Sequence, residues 1–193
     1  IKVPEAWRKE KAFGQGVTVA VIDSGILPTP SLAHALRKNP KETFNGKDDD
    51  GNGLVDDVFG YDFMAGNGFV QEANRMLSHG SICAGIIAGR PSAKSKWLTG
   101  VAPKAELMLV KGSFDLRALE YLLLNDADLV SMSFMIVGRE LGHVRGLYRN
   151  AFEHLSAAGV LSMGGAGNFA AGPRALAVGK QIGLPKDIPC VVA

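Results

Sequence analysis

Cysteine is scarce in this 193-residue chain, with Cys83 and Cys190 its two examples. Two thiols close at most one bridge, which excludes a small fold stapled by disulfides. No apolar run approaches the roughly 20 residues that a membrane-spanning helix needs, so no membrane is expected as a partner. Neither sign of charge prevails: 21 Lys and Arg stand against 19 Asp and Glu, interspersed along the chain, for a formal charge of +2. That balance gives no electrostatic case for nucleic acid or an anionic surface. Repeats, low-complexity tracts and linker-like stretches are also missing. What is present is 47% hydrophobic content, enough for a sizeable core, and 24 glycines, which point to tight turns and close backbone approaches. The length suits one domain over 1–193. Its last strand pattern runs to Ala193 with no helix behind it, so the domain is expected to be incomplete.

Apolar runs of strand length occur at 17–22 (VTVAVI), 106–110 (ELMLV), 128–133 (DLVSMS), 159–163 (GVLSM) and 188–193 (IPCVVA). Helical patterns separate them. Residues 80–88 (GSICAGIIA) read as a small-residue helix, and 115–124 (DLRALEYLLL) as a helix that Ser113 would cap. A third helix over 144–158 places Val144, Leu147, Ala151, Leu155 and Ala158 on one face and ends at Gly159. Strands alternating with helices imply an α/β fold with a mostly parallel sheet covered on both sides, a three-layer α/β/α arrangement. The polar stretch 38–57 reads as an acidic loop insertion.

Three stretches carry chemistry. In VTVAVIDSGI, 17–26, a buried strand ends on Asp23, at the strand end where open α/β sheets place ligands and catalysts. In SHGSICAGIIAG, 78–89, His79 opens a helix whose small residues let it lie close to the sheet, which brings His79 towards Asp23. A carboxylate on one ring nitrogen fixes the tautomer and leaves the other nitrogen as a general base. In GVLSMGGAGNFA, 159–170, a strand and a glycine-rich turn lead to Asn168, whose amide could donate to a developing oxyanion. Taken singly, each has a plain structural reading: a strand-ending turn, a helix-capping histidine, a Gly-Asn turn.

Together, V-I-D-S-G-I, H-G-S-I-C-A-G-I-I-A-G and G-A-G-N resemble, in order, the motifs of the subtilisin-like serine peptidases. The stretches GVAPKAELMLVK (100–111), ADLVSMS (127–133) and the amino-terminal VPEAWRKEKAFGQG fall in the same family order. The resemblance implies a serine endopeptidase hydrolysing peptide bonds, with Asp23 orienting His79, His79 as general base and Asn168 as oxyanion donor. It also implies a substrate cleft containing Ser133, Phe134 and Gly165. A polypeptide substrate, a propeptide inhibitor and an extracytoplasmic location come with it, and no cofactor is required.

The chain departs from the family in three places. No G-T-S-x-A nucleophile motif follows Asn168, so the nucleophilic serine is expected beyond residue 193 and these residues alone are expected to be inactive. The family's S-x-G substrate strand reads Ser133-Phe134-Met135, and a Met in place of Gly would crowd the pocket for the residue before the scissile bond. Ser81 stands where Thr is usual. The alternative is a non-catalytic relative that binds peptides or partner proteins.

Other readings compete. GAGNFA, 165–170, with Asp187 downstream, fits a dinucleotide fingerprint, but 169–179 lacks the amphipathic helix that fingerprint requires. Cys83, four residues after His79 and flanked by Ile82, Ala84 and Ile86, reads as an inert core thiol. DDDGNGLVDD, 48–57, sets Asp48, Asp50, Asn52 and Asp56 at positions 1, 3, 5 and 9 of a calcium loop. The twelfth position is Phe59 rather than Glu, so a weak Ca²⁺ site and a solvated acidic loop are equally good readings.

Overall fold

The computed structural model describes residues 2–72, 78–93, 99–112, 115–138, 142–167 and 182–193. The chain forms two compact units, Ile1–Ser113 and Phe114–Ala193. Each has parallel strands and helices, so the class is α/β with mostly parallel pairing.

In the first unit, helix α1 (Val3–Glu10) begins with Pro4 in its first turn, where a missing N–H costs nothing, and ends on Lys11 at φ +52°. Trp7 of α1 donates from Nε1 to the Val101 carbonyl at 2.8 Å. Strand β1 (Thr18–Asp23) is buried along its whole length, as expected of a central strand in a parallel sheet. Then come the short β2 (Gly60–Asp62), helix α2 (His79–Ala88) and strand β3 (Glu106–Lys111). The order in space is β2-β3-β1, all parallel, with Thr18 opposite Glu106 and Asp23 opposite Lys111. Helix α2 packs on β1 and β3 through Gly80, Ala84, Gly85 and Ala88, which are all buried. The small-residue reading of that helix therefore describes its packing face. Residues 38–57 contain no helix or strand.

The second unit carries α3 (Leu116–Leu124), β4 (Leu129–Met132), β5 (Ile136–Gly138), α4 (Arg145–Ala157), β6 (Leu161–Gly164), β7 (Ile182–Leu184) and β8 (Val191–Val192). Strands β4, β6 and β8 are neighbours in that order and parallel, while β5 and β7 form a separate antiparallel pair. Ser113 lies outside the described residues. The cap of α3 is Asp115, whose side chain accepts from the Arg117 amide at 2.9 Å. The expected face of α4 needs correction. Leu155 is buried as expected and Val144 and Ala151 are half-buried, but Leu147 and Ala158 are exposed, and Phe152, outside the expected face, is buried. Phe152 is the largest fully buried side chain among the described residues. Gly159 ends the helix at φ +88°.

A charged pair sits at the carboxyl edge of the first unit's strands. Lys111, last in β3, places Nζ 2.7 Å from Oδ2 of Asp62, last in β2. Asp62 Oδ1 also accepts the amides of Met64 and Ala65, both at 3.0 Å. Burial acts to raise the Asp62 carboxyl, but the Lys111 ammonium and these amides outweigh it and hold it below the usual carboxylate range. A carboxyl depressed in the folded state adds stability above its unfolded titration range and loses it as pH falls through the folded value. Asp62→Asn keeps an acceptor for the amides and strands the lysine. It should cost about 1–3 kcal/mol at neutral pH. Denaturant melts from pH 7 down to pH 3 should show the gap between variant and wild type narrowing with acid; a constant gap would contradict the pairing.

Candidate active site

Asp23 closes β1 and His79 opens α2, so one strand end and one helix start determine their separation. His79 Nδ1 lies 2.8 Å from Asp23 Oδ1 and 2.9 Å from Oδ2. The Asp23 side chain is 5% exposed and that of His79 is 58% exposed. The carboxylate is thus held inside, and the imidazole reaches from it into solvent. With Asp23 accepting, the ring proton belongs on Nδ1. Nε2 makes no hydrogen bond among the described residues and is left with its lone pair, as a general base requires.

The contact is built by backbone. The Ser24 amide donates to Asp23 Oδ1 at 2.8 Å, so one carboxylate oxygen serves both the turn and the imidazole. Ser24 Oγ accepts the Gly80 amide at 3.3 Å, and Ser81 Oγ accepts the Leu27 amide at 2.9 Å. These two bonds tie the turn after β1 to the first turn of α2. Both glycines of the motifs are steric requirements. A Cβ on Gly80 would sit 2.2 Å from the Gly25 carbonyl oxygen and 3.1 Å from Asp23 Cβ. Gly25 has φ +109°, and a Cβ there would meet the Val70 carbonyl at 2.9 Å. The D-S-G and H-G patterns are two halves of one close approach.

Cys83 corrects the sequence reading. It is half-buried, with Sγ 3.9 Å from His79 Nδ1, and its neighbours Ile82 and Ile86 are exposed. The face of α2 buried against the sheet is the glycine and alanine face, which leaves the isoleucine side outward and turns the thiol towards the imidazole. Cys83 and Cys190 are not joined in a disulfide.

Of the other expected site residues, Asn168 lies outside the described residues. Ser133 is exposed and Phe134 half-buried, in a stretch between β4 and β5 that belongs to neither strand. Gly165 donates its amide to the Met132 carbonyl at 2.9 Å, and a Cβ on it would stand 3.2 Å from the Phe134 carbonyl oxygen. The two backbones therefore lie side by side. Asp48 and Asp50 converge, but Asn52 and Asp56 do not join them. Asn52 Oδ1 accepts its own Leu54 amide, and its Nδ2 donates to Asp57 at 3.2 Å. Asp56, at φ +57°, turns away and accepts the amides of Asn45 and Gly46. Glu42 takes the place beside Asp48 and Asp50, with one carboxylate oxygen of each within 4.8 Å of the others. Calcium-loop spacing starts at Asp48 and so passes over Glu42.

A buried carboxylate that holds an exposed imidazole by Nδ1 leaves the ring's other nitrogen able to accept a proton from solvent or a ligand. The model of the Peptidase_S8, or subtilase, family matches residues 14–191, and the chain belongs to that family. Among curated relatives, subtilisin-like protease 1 of Plasmodium falciparum is 28% identical over 162 residues, covering 78% of this chain and 22% of that protein. Mycosin-3 of Mycobacterium tuberculosis is 29% identical over 114 residues, covering 58% of this chain and 18% of that protein. The chain thus spans about a quarter or less of these relatives' length. A lanthipeptide protease structure superposes with a TM-score of 0.69 at 19% identity, covering 99% of this chain and 52% of that one. The MycP3 protease of the type VII (ESX-3) secretion system gives 0.57 at 19% identity, covering 98% and 54%.

Gly80→Ala tests the assembly of the pair. The methyl group would meet the Gly25 carbonyl and Asp23 Cβ, neither of which can swing aside, so α2 must back away from the turn, at a cost on the order of 1–3 kcal/mol. The variant should melt earlier and lose the Asp23–His79 contact in its structure. Ser81→Ala, which removes only a side-chain acceptor, should cost about 0.5–1.5 kcal/mol and leave the contact in place. An unperturbed contact in Gly80→Ala would refute the steric account.

Proposed function

We propose that this chain carries the base-bearing part of a subtilisin-type serine endopeptidase acting on polypeptides by an Asp/His/Ser triad. The observation that supports this most directly is the two-oxygen contact of Asp23 with His79 Nδ1. It leaves Nε2 to take the proton of a serine hydroxyl as that oxygen attacks the peptide carbonyl carbon. The same nitrogen then returns the proton to the leaving amine, and the acyl group stays on the serine until water repeats the cycle in reverse. Asn168 is assigned as the side-chain donor to the oxyanion, and Ser133, Phe134 and Gly165 as substrate-strand and cleft residues, on family resemblance.

The nucleophile is assigned to sequence outside these 193 residues. Ser24 and Ser81 beside the pair already serve as acceptors for backbone amides, and neither stands in a nucleophile motif. Two accompanying proposals rest on the relatives. A propeptide would act as inhibitor, as one solved relative, MycP1, had an N-terminal propeptide removed. An extracytoplasmic location is in line with the secretion-system relative.

A fluorophosphonate probe tests the assignment. These 193 residues alone should not label. A longer gene product with a G-T-S-x-A segment should label at that serine, and His79→Ala should abolish labelling. Asp23→Asn should lower turnover by about 10⁴-fold, since the imidazole loses the partner that sets its tautomer. Labelling of the short chain would overturn the placement of the nucleophile. A longer product that stays unlabelled until Met135→Gly restores reaction would favour the non-catalytic, peptide-binding reading, with Met135 as the block.

A further inference from the structure

At the carboxyl edge of the first unit's sheet, one ammonium stands between two carboxylates. Asp62, Lys111 and Asp23 are in register on β2, β3 and β1. Neighbouring strands lie about 4.8 Å apart, and residues in register point to the same face. A lysine side chain is longer than one strand spacing, so Lys111 has the reach to meet a carboxylate on either side. It meets Asp62, with Nζ 2.7 Å from Oδ2.

The two carboxylates are sockets of one kind. Asp62 Oδ1 accepts the amides of Met64 and Ala65, just past its strand, and Oδ2 faces the ammonium. Asp23 Oδ1 accepts the amide of Ser24, just past its own strand, and both oxygens face His79 Nδ1. Their side chains are 2% and 5% exposed. An ammonium without a partner at this edge would be drawn to Asp23, and a charged donor binds a buried carboxylate more strongly than a neutral imidazole does. Lys111 cannot leave the edge, because backbone holds it there. The Gly112 amide donates to the Asp23 carbonyl and the Phe63 amide to the Lys111 carbonyl, both at 3.0 Å. Only its side chain has a choice.

We propose that Asp62 is a positioning residue for the base: by holding Lys111 Nζ it reserves Asp23 for His79. This rests on the reading of Asp23 and His79 as the base of the reaction. Asp62 touches no reacting atom and acts through the lysine. Were Lys111 to turn to Asp23, the imidazole would lose the bond that keeps its proton on Nδ1. The proton would then sit on Nε2, the nitrogen that has to be empty to accept one. Pairing also cancels the lysine's charge, which would otherwise oppose an imidazolium forming at His79.

The test reads the tautomer of His79 rather than turnover, so it needs no nucleophile. Ring ¹⁵N shifts in long-range ¹H–¹⁵N spectra of the full 193-residue chain distinguish a proton on Nδ1 from one on Nε2, and His79→Gln assigns the signal among the four histidines. Spectra are taken at about pH 8, above the ordinary imidazole range. Wild type should carry the proton on Nδ1. Asp62→Asn should shift it largely to Nε2, as Lys111 turns to Asp23. Asp62→Asn combined with Lys111→Met should return it to Nδ1, and Lys111→Met alone should leave it there. A merely structural role for Asp62 would leave the double variant no better than the single one. Should Asp62→Asn not fold, Asp62→Ser, which keeps an acceptor for the turn amides, replaces it in both arms. A proton that stays on Nδ1 in the Asp62 variant overturns the proposal, and so does a double variant that stays on Nε2. A longer gene product that never labels with the fluorophosphonate would sink the peptidase reading and leave these tautomers unchanged, so the two can fail separately.

Discussion

The first unit depends on one close approach, that of the start of α2 to the turn after β1. The Gly25 carbonyl occupies the space a Cβ on Gly80 would need, and the Val70 carbonyl limits Gly25 in the same way. Two serine hydroxyls then accept amides across the gap. Each of these bonds contributes about 1 kcal/mol, so neither alone would position a histidine; their value lies in fixing register. The Asp23–His79 bond is the result, with its carboxylate inside and its imidazole outside. That asymmetry matters for a base. A fully buried imidazole would meet no substrate, and a solvated carboxylate would bind the ring too weakly to hold its tautomer.

The same packing explains how opposite charges are kept from interfering. Parallel strands end in register, so Asp23, Lys111 and Asp62 occupy neighbouring positions along one edge. Lys111 is paired with Asp62 on its far side, at 2.7 Å, and Asp23 is left to the imidazole and the Ser24 amide. At an effective dielectric of about 20, a unit charge pair at 4 Å is worth about 4 kcal/mol, enough for a misplaced ammonium to compete with a hydrogen-bonded imidazole. Asp62 thus does two jobs, capping the Met64–Ala65 turn and holding the lysine away from Asp23.

Much of this was legible before any coordinates. The parallel strands lie within a residue or two of the apolar runs at 17–22, 106–110 and 128–133, because buried parallel strands are written as continuous hydrophobic stretches. Asp23 and His79 stood out because each ends or begins an element beside a glycine. The short strand β2 did not stand out, since Gly-Tyr-Asp has no period and depends on β3 for its conformation. The Asp62–Lys111 pair was hidden for the same reason: two strand ends 49 positions apart show no local signal. In α4, the spacing found Leu155 but also chose Leu147, which is exposed, and passed over Phe152, which is buried. Cys83 was misread because both of its isoleucine neighbours were assigned to the core.

The acidic loop shows most clearly where spacing stops being informative. A linear pattern assumes that residues at positions 1, 3, 5 and 9 curl around one point. Here Gly51, Gly53 and Asp56 take positive φ, and Asp48 and Asp50 stay together while Asp56 is not part of their cluster. Asp56 instead accepts backbone amides from Asn45 and Gly46 and acts as a turn brace. The vacated role falls to Glu42, six residues before Asp48, whose burial is imposed by its bonds to the Asp49 and Asp50 amides. Those bonds draw a carboxylate into a loop already rich in negative charge, an arrangement that hydrogen bonds to one oxygen cannot balance.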